Sequence, residues 1–512
     1  LGDTSFFGGV VTESFKYKHA KRRVGGRVEF EVSNPAGIGG MKQVFFEKGR
    51  KRVVAFFHGN VEDPMREERL RRVIEEFNPT VEGKQYAEYW REVFCWPTEI
   101  VDHGEFGVGI VLPAYSDVFI FREGNLRGRE KSGGWFNNRD RRTGRAFRHV
   151  HVHPSERGDL RGMALAMECA ARAIRRMHNA GLVHSDLSES NVLVDPASGR
   201  ALIVDVDALV VTGLYPPEVI GTPGYIAPEV LKTKHLPVGH PGRMQPSADT
   251  DKHALAVMIY RFLLERHPLE GCRVFPGRAA EEEDELKFGS EALYCEHPTN
   301  DSNRPDNQNY RPASVLGPEL AELFRRAFVD GLAKPHERPT PGEWEAALAR
   351  AIDNMVRCSN AECDQGWFVH HDQSEAVCPY CAASVRERVK KLCFEREDKP
   401  GWFRRAGDLV LNVSPESPVG TVVRRHHIDR FAPRGPGEDP AALARIRWLD
   451  APVAGAYLEN LALPGLEVRE GFAALSPRYH LVPVGKKVFL QHDLELRFGT
   501  DGGSVRARIF CV

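Results

Sequence analysis

Between Arg27 and Phe57 apolar and polar positions alternate with a period of two. The runs R-V-E-F-E-V, Q-V-F-F and R-V-V-A-F-F each place every second side chain on one face. That pattern predicts three strands of an antiparallel sheet. The period changes after Asp63-Pro64, where Leu70, Val73, Ile74 and Phe77 recur at steps of three and four. This predicts a helix opened by the proline. Two more strands are expected around 99–101 and 108–112, and Pro113-Ala114-Tyr115 reads as a connector to a second lobe. Residues 1–23 carry no readable pattern.

The helical period returns over 160–180, where Met163, Met167, Ala170, Ile174 and Met177 form one apolar stripe. Such a stripe packs into a core. Short, wholly apolar runs at 192–194 and 202–204 flank the turn D-P-A-S-G and predict a hairpin. An apolar helix is expected over 251–264, an irregular insertion rich in charge, Asn and Pro over 270–318, and helices at 320–330 and 341–352. Beyond Pro400 short alternating runs are broken by Gly and Pro. The segment P-V-G-K-K-V-F-L-Q-H-D-L-E-L-R-F-G is read as strands around a G-K-K turn. The expected fold class is α+β: a lobe at 24–115, a second lobe at 116–355, a cysteine-bearing segment at 356–385 and a β-sandwich-like domain at 400–512.

Composition narrows the function classes. The 512 residues have room for two or three domains, and a formal net charge of −1 gives no basic excess for nucleic acid or a membrane surface. No apolar run approaches the ~20 residues that cross a bilayer, and the first residues lack a signal-peptide layout. Ten cysteines in so long a chain do not form a disulfide framework. A cytoplasmic protein is expected.

The chemistry is concentrated between Val183 and Glu229, in V-H-S-D-L-S-E-S-N-V-L-V-D, then I-V-D-V-D, then G-T-P-G-Y-I-A-P-E. In that order and spacing the three motifs resemble the catalytic core of protein kinases. The resemblance implies a two-lobed fold, with Asp186 accepting the proton of a substrate hydroxyl and with Asn191 and Asp205 holding Mg²⁺ against ATP. It implies that Thr222 reaches Asp186, that Glu229 pairs with Arg338, and that Asp251 bonds the backbone around His184. Departures are informative. His184-Ser185-Asp186 lacks the arginine that usually receives an activation-loop phosphate, so activation by loop phosphorylation is not required. The loop hydroxyls are Thr212, Tyr215, Thr222 and Tyr225. Ser188 stands where most serine/threonine kinases keep a lysine for the γ-phosphate. Asp207 replaces a glycine and reads as structural.

Upstream, Gly37, Gly39 and Gly40 resemble a phosphate-covering glycine loop, with Lys42 at the third glycine's place and Val44 after it. The strand that should offer V-A-I-K offers Val54-Ala55-Phe56-Phe57. A cation is still required beside a triphosphate. Lys42 supplies it on a resemblance to the with-no-lysine kinases. Its carboxylate partner should come from the helix after Asp63: Glu67 is the first choice, with Glu68 and Glu75 open. Leu112 and Ala114, at the connector, are expected to meet the nucleotide.

A closer resemblance is to bacterial serine/threonine protein-kinase-like proteins of tellurite-resistance-type gene clusters. It is carried by G-I-G-G-M-K-Q-V, Phe94-Cys95-Trp96-Pro97-Thr98, H-S-D-L-S, D-V-D and D-K-H-A-L-A-V through R-H-P-L. It implies a von Willebrand A-type protein and a PP2C-type phosphatase as partners. The expected activity is phosphoryl transfer from ATP to Ser/Thr of a protein. The alternatives are a nucleotide-binding pseudokinase scaffold and, last, a small-molecule kinase.

Cys358, Cys363, Cys378 and Cys381 have the spacing of an S₄ zinc site, with Trp367 and Phe368 packing on it or forming a contact surface. His149, His151 and His153 alternate and read as an exposed loop. Arg424-Arg425-His426-His427 reads as a solvated strand face. The last domain loosely resembles a forkhead-associated domain, whose binding residues find no match here.

Overall fold

The structure, a computed structural model, describes residues 16–511 apart from 34, 39–40, 59–63, 85, 139–141, 144–149, 207–208, 212–220, 238–239, 278, 307–309, 373–374, 386–388, 415–419, 430–441, 451, 471–477, 491–493 and 501–502.

The alternating runs do become strands. β1 (Tyr17–Arg22), β2 (Arg27–Glu31), β3 (Gly37–Ile38), β4 (Lys42–Phe46), β5 (Arg52–Phe57), β6 (Glu99–His103) and β7 (Gly107–Pro113) form one antiparallel sheet. Their order is β2-β1-β6-β7-β5-β4-β3. β1 arises from the stretch without a pattern. Of its six residues only Ala20 is buried, so no alternation could show. One face of the sheet packs Phe30, Phe45, Val54, Phe56, Val101 and Val111. The opposite face brings Val44, Ala55, Phe57, Ile110 and Leu112 against Leu70 and Ile74 of helix α1 (Pro64–Glu75). The same cluster includes Leu193, Leu202 and Val204 of the lower lobe. The sheet is thus the roof of a cleft, and β8 (Val192–Asp195) with β9 (Arg200–Ile203) makes its floor.

Asp63 lies outside the described residues, and Phe77 sits just past the end of α1. Helix α2 (Ala87–Val93) was not expected: two turns are too short to show a helical period, although Ala87, Trp90 and Val93 are buried. The lower lobe is built on α3 (Leu160–Asn179), capped by Asp159 through a 2.8 Å bond to the Gly162 N–H. Its methionine stripe is buried as expected. Helix α4 (Pro228–Thr233) opens on the A-P-E proline, and α5 (Ala248–Leu264) crosses α3.

The insertion at 270–318 is more regular than its composition suggested. It contains helix α6 (Ala280–Glu285) and a π-turn, Leu286–Ser290, whose Phe288 is buried against His267. The Asn303 amide ties the carbonyl of Leu293 to that of Leu269, just before the insertion. Helices α7 (Pro318–Arg325) and α8 (Pro341–Asp353) follow, α8 along α3.

The last β domain begins earlier than Pro400, with a strand at Lys390–Lys399. Lys391, Leu392, Cys393 and Phe394 are buried in succession and the register shifts after Phe394, so the alternation that would have announced the strand is absent. A six-stranded and a four-stranded sheet share one apolar core around Leu392, Phe394, Ile446, Leu458, Leu496 and Phe498. The cationic run is not a solvated strand face. Arg425–Ile428 is one helical turn, with His427 stacked on Phe394 and both histidines turned to Asp353 at the end of α8, at 3.3 and 3.1 Å.

Candidate active site

The loop that presents Asp186 is fixed from below. Asp251, in the first turn of α5, accepts N–H bonds from His184 (2.8 Å) and Ser185 (3.1 Å) and meets His178 Nε2 at 3.0 Å. Ser185 has φ +67°, a region costly for a residue with a side chain, and these bonds hold it there. His184 donates Nε2–H to the Val204 carbonyl at 3.1 Å, tying the loop to the segment that carries Asp205.

Asp186 is held at both oxygens. Thr222 donates its hydroxyl to Oδ1 at 2.7 Å, and Asn191 donates its amide N–H to Oδ2 at 3.0 Å and to the Asp186 carbonyl at 2.7 Å. The Asn191 amide oxygen is left as a ligand atom. Ser188 is buried and bonded to the hydroxyls of Ser190 (2.8 Å) and Thr222 (3.2 Å), so it supplies no charge.

Asp205, at φ +57°, keeps a half-exposed carboxylate. Lys42 crosses the cleft from β4 and bonds its Oδ1 at 2.9 Å, with the lysine side chain only 12% exposed. The expected carboxylate partners on the helix after Asp63 do not make this bond. Glu67 pairs with Arg23 at 3.2 Å, Glu68 with Arg71 and Arg72, and Glu75 with Arg71. Glu67 shares the helical spacing of Leu70 and Ile74 yet pairs with Arg23, just past β1, while Glu68 and Glu75 lie off that stripe and pair with arginines of their own helix.

Gly37 pairs with Val44 in the glycine hairpin, and Val44 is half-buried in the roof. Gly39 and Gly40 lie outside the described residues, as do Asp207, Thr212, Tyr215 and His149. Leu112 is buried in the roof, and Ala114 donates its N–H to Lys51 at the connector. Two cleft residues were missed. Ala55 and Leu193 close the apolar cluster from above and below. Their signal was present in V-A-F-F and N-V-L-V, where a small and a branched apolar residue sit mid-strand.

The G-T-P-G-Y segment is pinned too. His267 donates Nε2–H to the Gly224 carbonyl at 2.8 Å and accepts the Leu269 N–H at Nδ1. Burial drives this imidazole down to about 3. Gly221 has φ +121°, which admits no side chain without strain. Glu229 and Arg338 form the expected two-pronged pair, 2.8 Å at each prong, with the guanidinium completely buried.

The four cysteine sulfurs lie within 4.8 Å of one another, with Cys358–Cys381 at 3.5 Å and Cys363–Cys378 at 3.9 Å. Trp367 donates its indole N–H to Asp159 at 2.9 Å, so the residue that caps α3 also docks this segment on the lower lobe. Asp353, His426 and His427 also converge. Here His427 accepts the Arg424 N–H at Nδ1 (2.9 Å), which leaves its proton on Nε2 toward Asp353 and no lone pair there for a cation. Burial alone would raise the Asp353 carboxyl, yet the two imidazoles hold it well below the usual carboxylate range.

The protein kinase domain family matches residues 147–343. Serine/threonine-protein kinase PkaA of Streptomyces coelicolor is 31% identical over 134 residues, 24% of this chain and 22% of that protein. Serine/threonine-protein kinase PknA of Mycobacterium tuberculosis is 32% identical over 112 residues, 20% and 23% of the two chains. The chain thus spans under a quarter of these relatives. A rhoptry kinase from Toxoplasma gondii is similar in structure, with a TM-score of 0.42 and 13% identity over 67% of this chain and 88% of that one. Residues 147–343 thus match the protein kinase domain, and the similar proteins are serine/threonine kinases, bacterial ones among them. No helix among the described residues is long and apolar enough to cross a membrane.

Proposed function

We propose that the protein transfers the γ-phosphoryl group of ATP to a Ser or Thr hydroxyl of a partner protein. The observation that carries this reading is the clamp on Asp186. With Thr222 on one oxygen and Asn191 on the other, the carboxylate is aimed for a hydroxyl proton. Lys42 and Asp205 face each other across the cleft, and the triphosphate is assigned to the space between roof and floor beside them. The Asn191 amide oxygen and the Asp205 carboxylate are hard oxygen ligands of the kind Mg²⁺ takes, and that ion would offset phosphate charge at the transferring group. The domain match and the serine/threonine kinase relatives support the same class.

The cysteine cluster is read as a structural zinc site. A tetrahedron with Zn–S bonds of about 2.3 Å has sulfur–sulfur edges of about 3.8 Å. The Cys358–Cys381 and Cys363–Cys378 separations, 3.5 and 3.9 Å, bracket that edge. The resemblance to tellurite-resistance-type kinases makes a von Willebrand A-type protein and a PP2C-type phosphatase candidate partners. The test is incorporation of labelled phosphate from ATP with Mg²⁺ into a Ser/Thr protein substrate. Asp186→Ala should lose about 10²–10⁴ in rate. Equal labelling by both proteins refutes the proposal.

A further inference from the structure

We propose that Arg66 is a second polyphosphate-binding cation of the cleft, so that α1 offers a positive charge where a carboxylate partner for Lys42 was expected. The inference rests on the nucleotide-site reading above. Arg66, Leu70 and Ile74 fall one helical turn apart on α1. Leu70 is completely buried and Ile74 packs into the roof cluster, so this stripe faces the cleft side of the sheet. The acidic residues of α1 project elsewhere, to Arg23, Arg71 and Arg72.

Arg66 then meets Phe57. Its guanidinium carbon lies 4.9 Å from the centre of that ring. Phe57 is the cross-strand partner of Lys42, and the Lys42 ammonium lies 5.9 Å from the same centre. Phe57 occupies the strand position at which V-A-I-K would end. One phenyl ring there is flanked by two cations, and its negative faces favour both. Both side chains are cationic, and Lys42 also bonds Asp205 at 2.9 Å. A chain of phosphates neutralises both at once, and a guanidinium suits phosphate oxygens because its N–H groups form a planar fork. The lower lobe offers no lysine at 188, where a buried serine bonds two neighbouring hydroxyls. The cationic side of the cleft therefore lies in the upper lobe, in Lys42 and Arg66 together. The ligand class is a nucleoside di- or triphosphate, read through its phosphates and not its base.

Arg66→Met keeps an unbranched stem over Phe57 and removes the charge. Arg66→Lys keeps the charge and loses the fork. Titration of the full chain with ATP and Mg²⁺, and separately with adenosine, should show about tenfold weaker ATP binding by Arg66→Met. Adenosine binding should be unchanged, with partial recovery in Arg66→Lys. Unfolding curves without ligand check that the variants are folded. An ATP affinity of Arg66→Met equal to wild type overturns the proposal. So does an equal loss of ATP and adenosine binding, which would mark a packing role. If Lys42→Met weakens ATP binding while Arg66→Met does not, only this inference fails. If wild type binds neither ligand, the nucleotide site falls with it.

Discussion

Lys42 and Asp205 stand 163 positions apart in the sequence and meet at 2.9 Å, one from the roof of the cleft and one from its floor. The pair is the link between the glycine hairpin and the catalytic segment. Because Asp205 is half exposed, losing Lys42 leaves no buried, uncompensated charge. Lys42→Met should therefore melt within a few degrees of wild type without ligand. It should lose the upward shift in melting temperature that ATP and Mg²⁺ give wild type. A retained shift of the same size would remove Lys42 from the phosphate site.

Thr222 and Asn191 divide the orientation of Asp186 between them. Thr222→Val removes one hydrogen bond to a charged acceptor, an interaction of about 1.5–3 kcal/mol. If the bond is needed to aim the carboxylate, kcat should fall by about one to two powers of ten with the KM for ATP unchanged. A KM effect with normal kcat would mean that Thr222 acts on nucleotide binding instead. Thr222→Ser, which keeps the hydroxyl, should restore most of the rate.

The parts of this site that were legible are those whose chemistry is local. Asp186 and Asn191 share one loop, whereas the long-range anchors Asp251, Glu229 and Arg338 were expected only on the resemblance to protein kinases. The partner of Lys42 was not legible. Helical spacing shows which residues of α1 share a stripe, but Glu67 has the spacing of the inward stripe and still meets Arg23, just past β1. Likewise R-R-H-H reads as solvent-facing, since only the three-dimensional arrangement brings Asp353 of α8 to it. Strand β1 and helix α2 were invisible for a simpler reason: too few of their residues are buried, or they are too short, for a period to emerge.

His267 makes the fold acid-sensitive. Burial holds its native value at about 3, against the ordinary 6.5. Below pH 6.5 the unfolded chain takes up a proton that the native imidazole refuses until about pH 3. Its contribution to stability is therefore complete above 6.5 and is lost progressively as pH falls toward 3. At pH 5 the loss is about 2 kcal/mol. His253, also driven well down by burial, acts in the same direction. His267→Gln removes one of these protons and can still donate to Gly224. Its melting temperature should fall less steeply than that of wild type between pH 6.5 and 4.5. Parallel curves would exclude His267 as a source of the acid sensitivity.

The cysteine segment should couple metal to the stability of the lower lobe. Each thiol must lose its proton to bind zinc, and without the ion four thiolates cannot share so small a space. The Cys358 N–H bonds the Gly366 carbonyl, Trp367 bonds Asp159, and Asp159 caps α3. Loss of the ion would therefore loosen the hairpin first and then remove a partner from the start of α3. Purified protein should contain one zinc per chain. Treatment with a strong chelator should lower the melting temperature, expose the segment to protease near residues 358–381, and be reversed by added Zn²⁺. Cys378→Ser should reproduce the chelated state and no longer respond to chelator. Trp367→Phe, which keeps the four sulfurs but not the indole bond, separates the two steps. It should keep its zinc and still lose part of the stabilisation that zinc gives to α3. If the protein purifies without zinc and gains no stability when zinc is added under reducing conditions, the four cysteines are a packed cluster of thiols and the coupling does not exist.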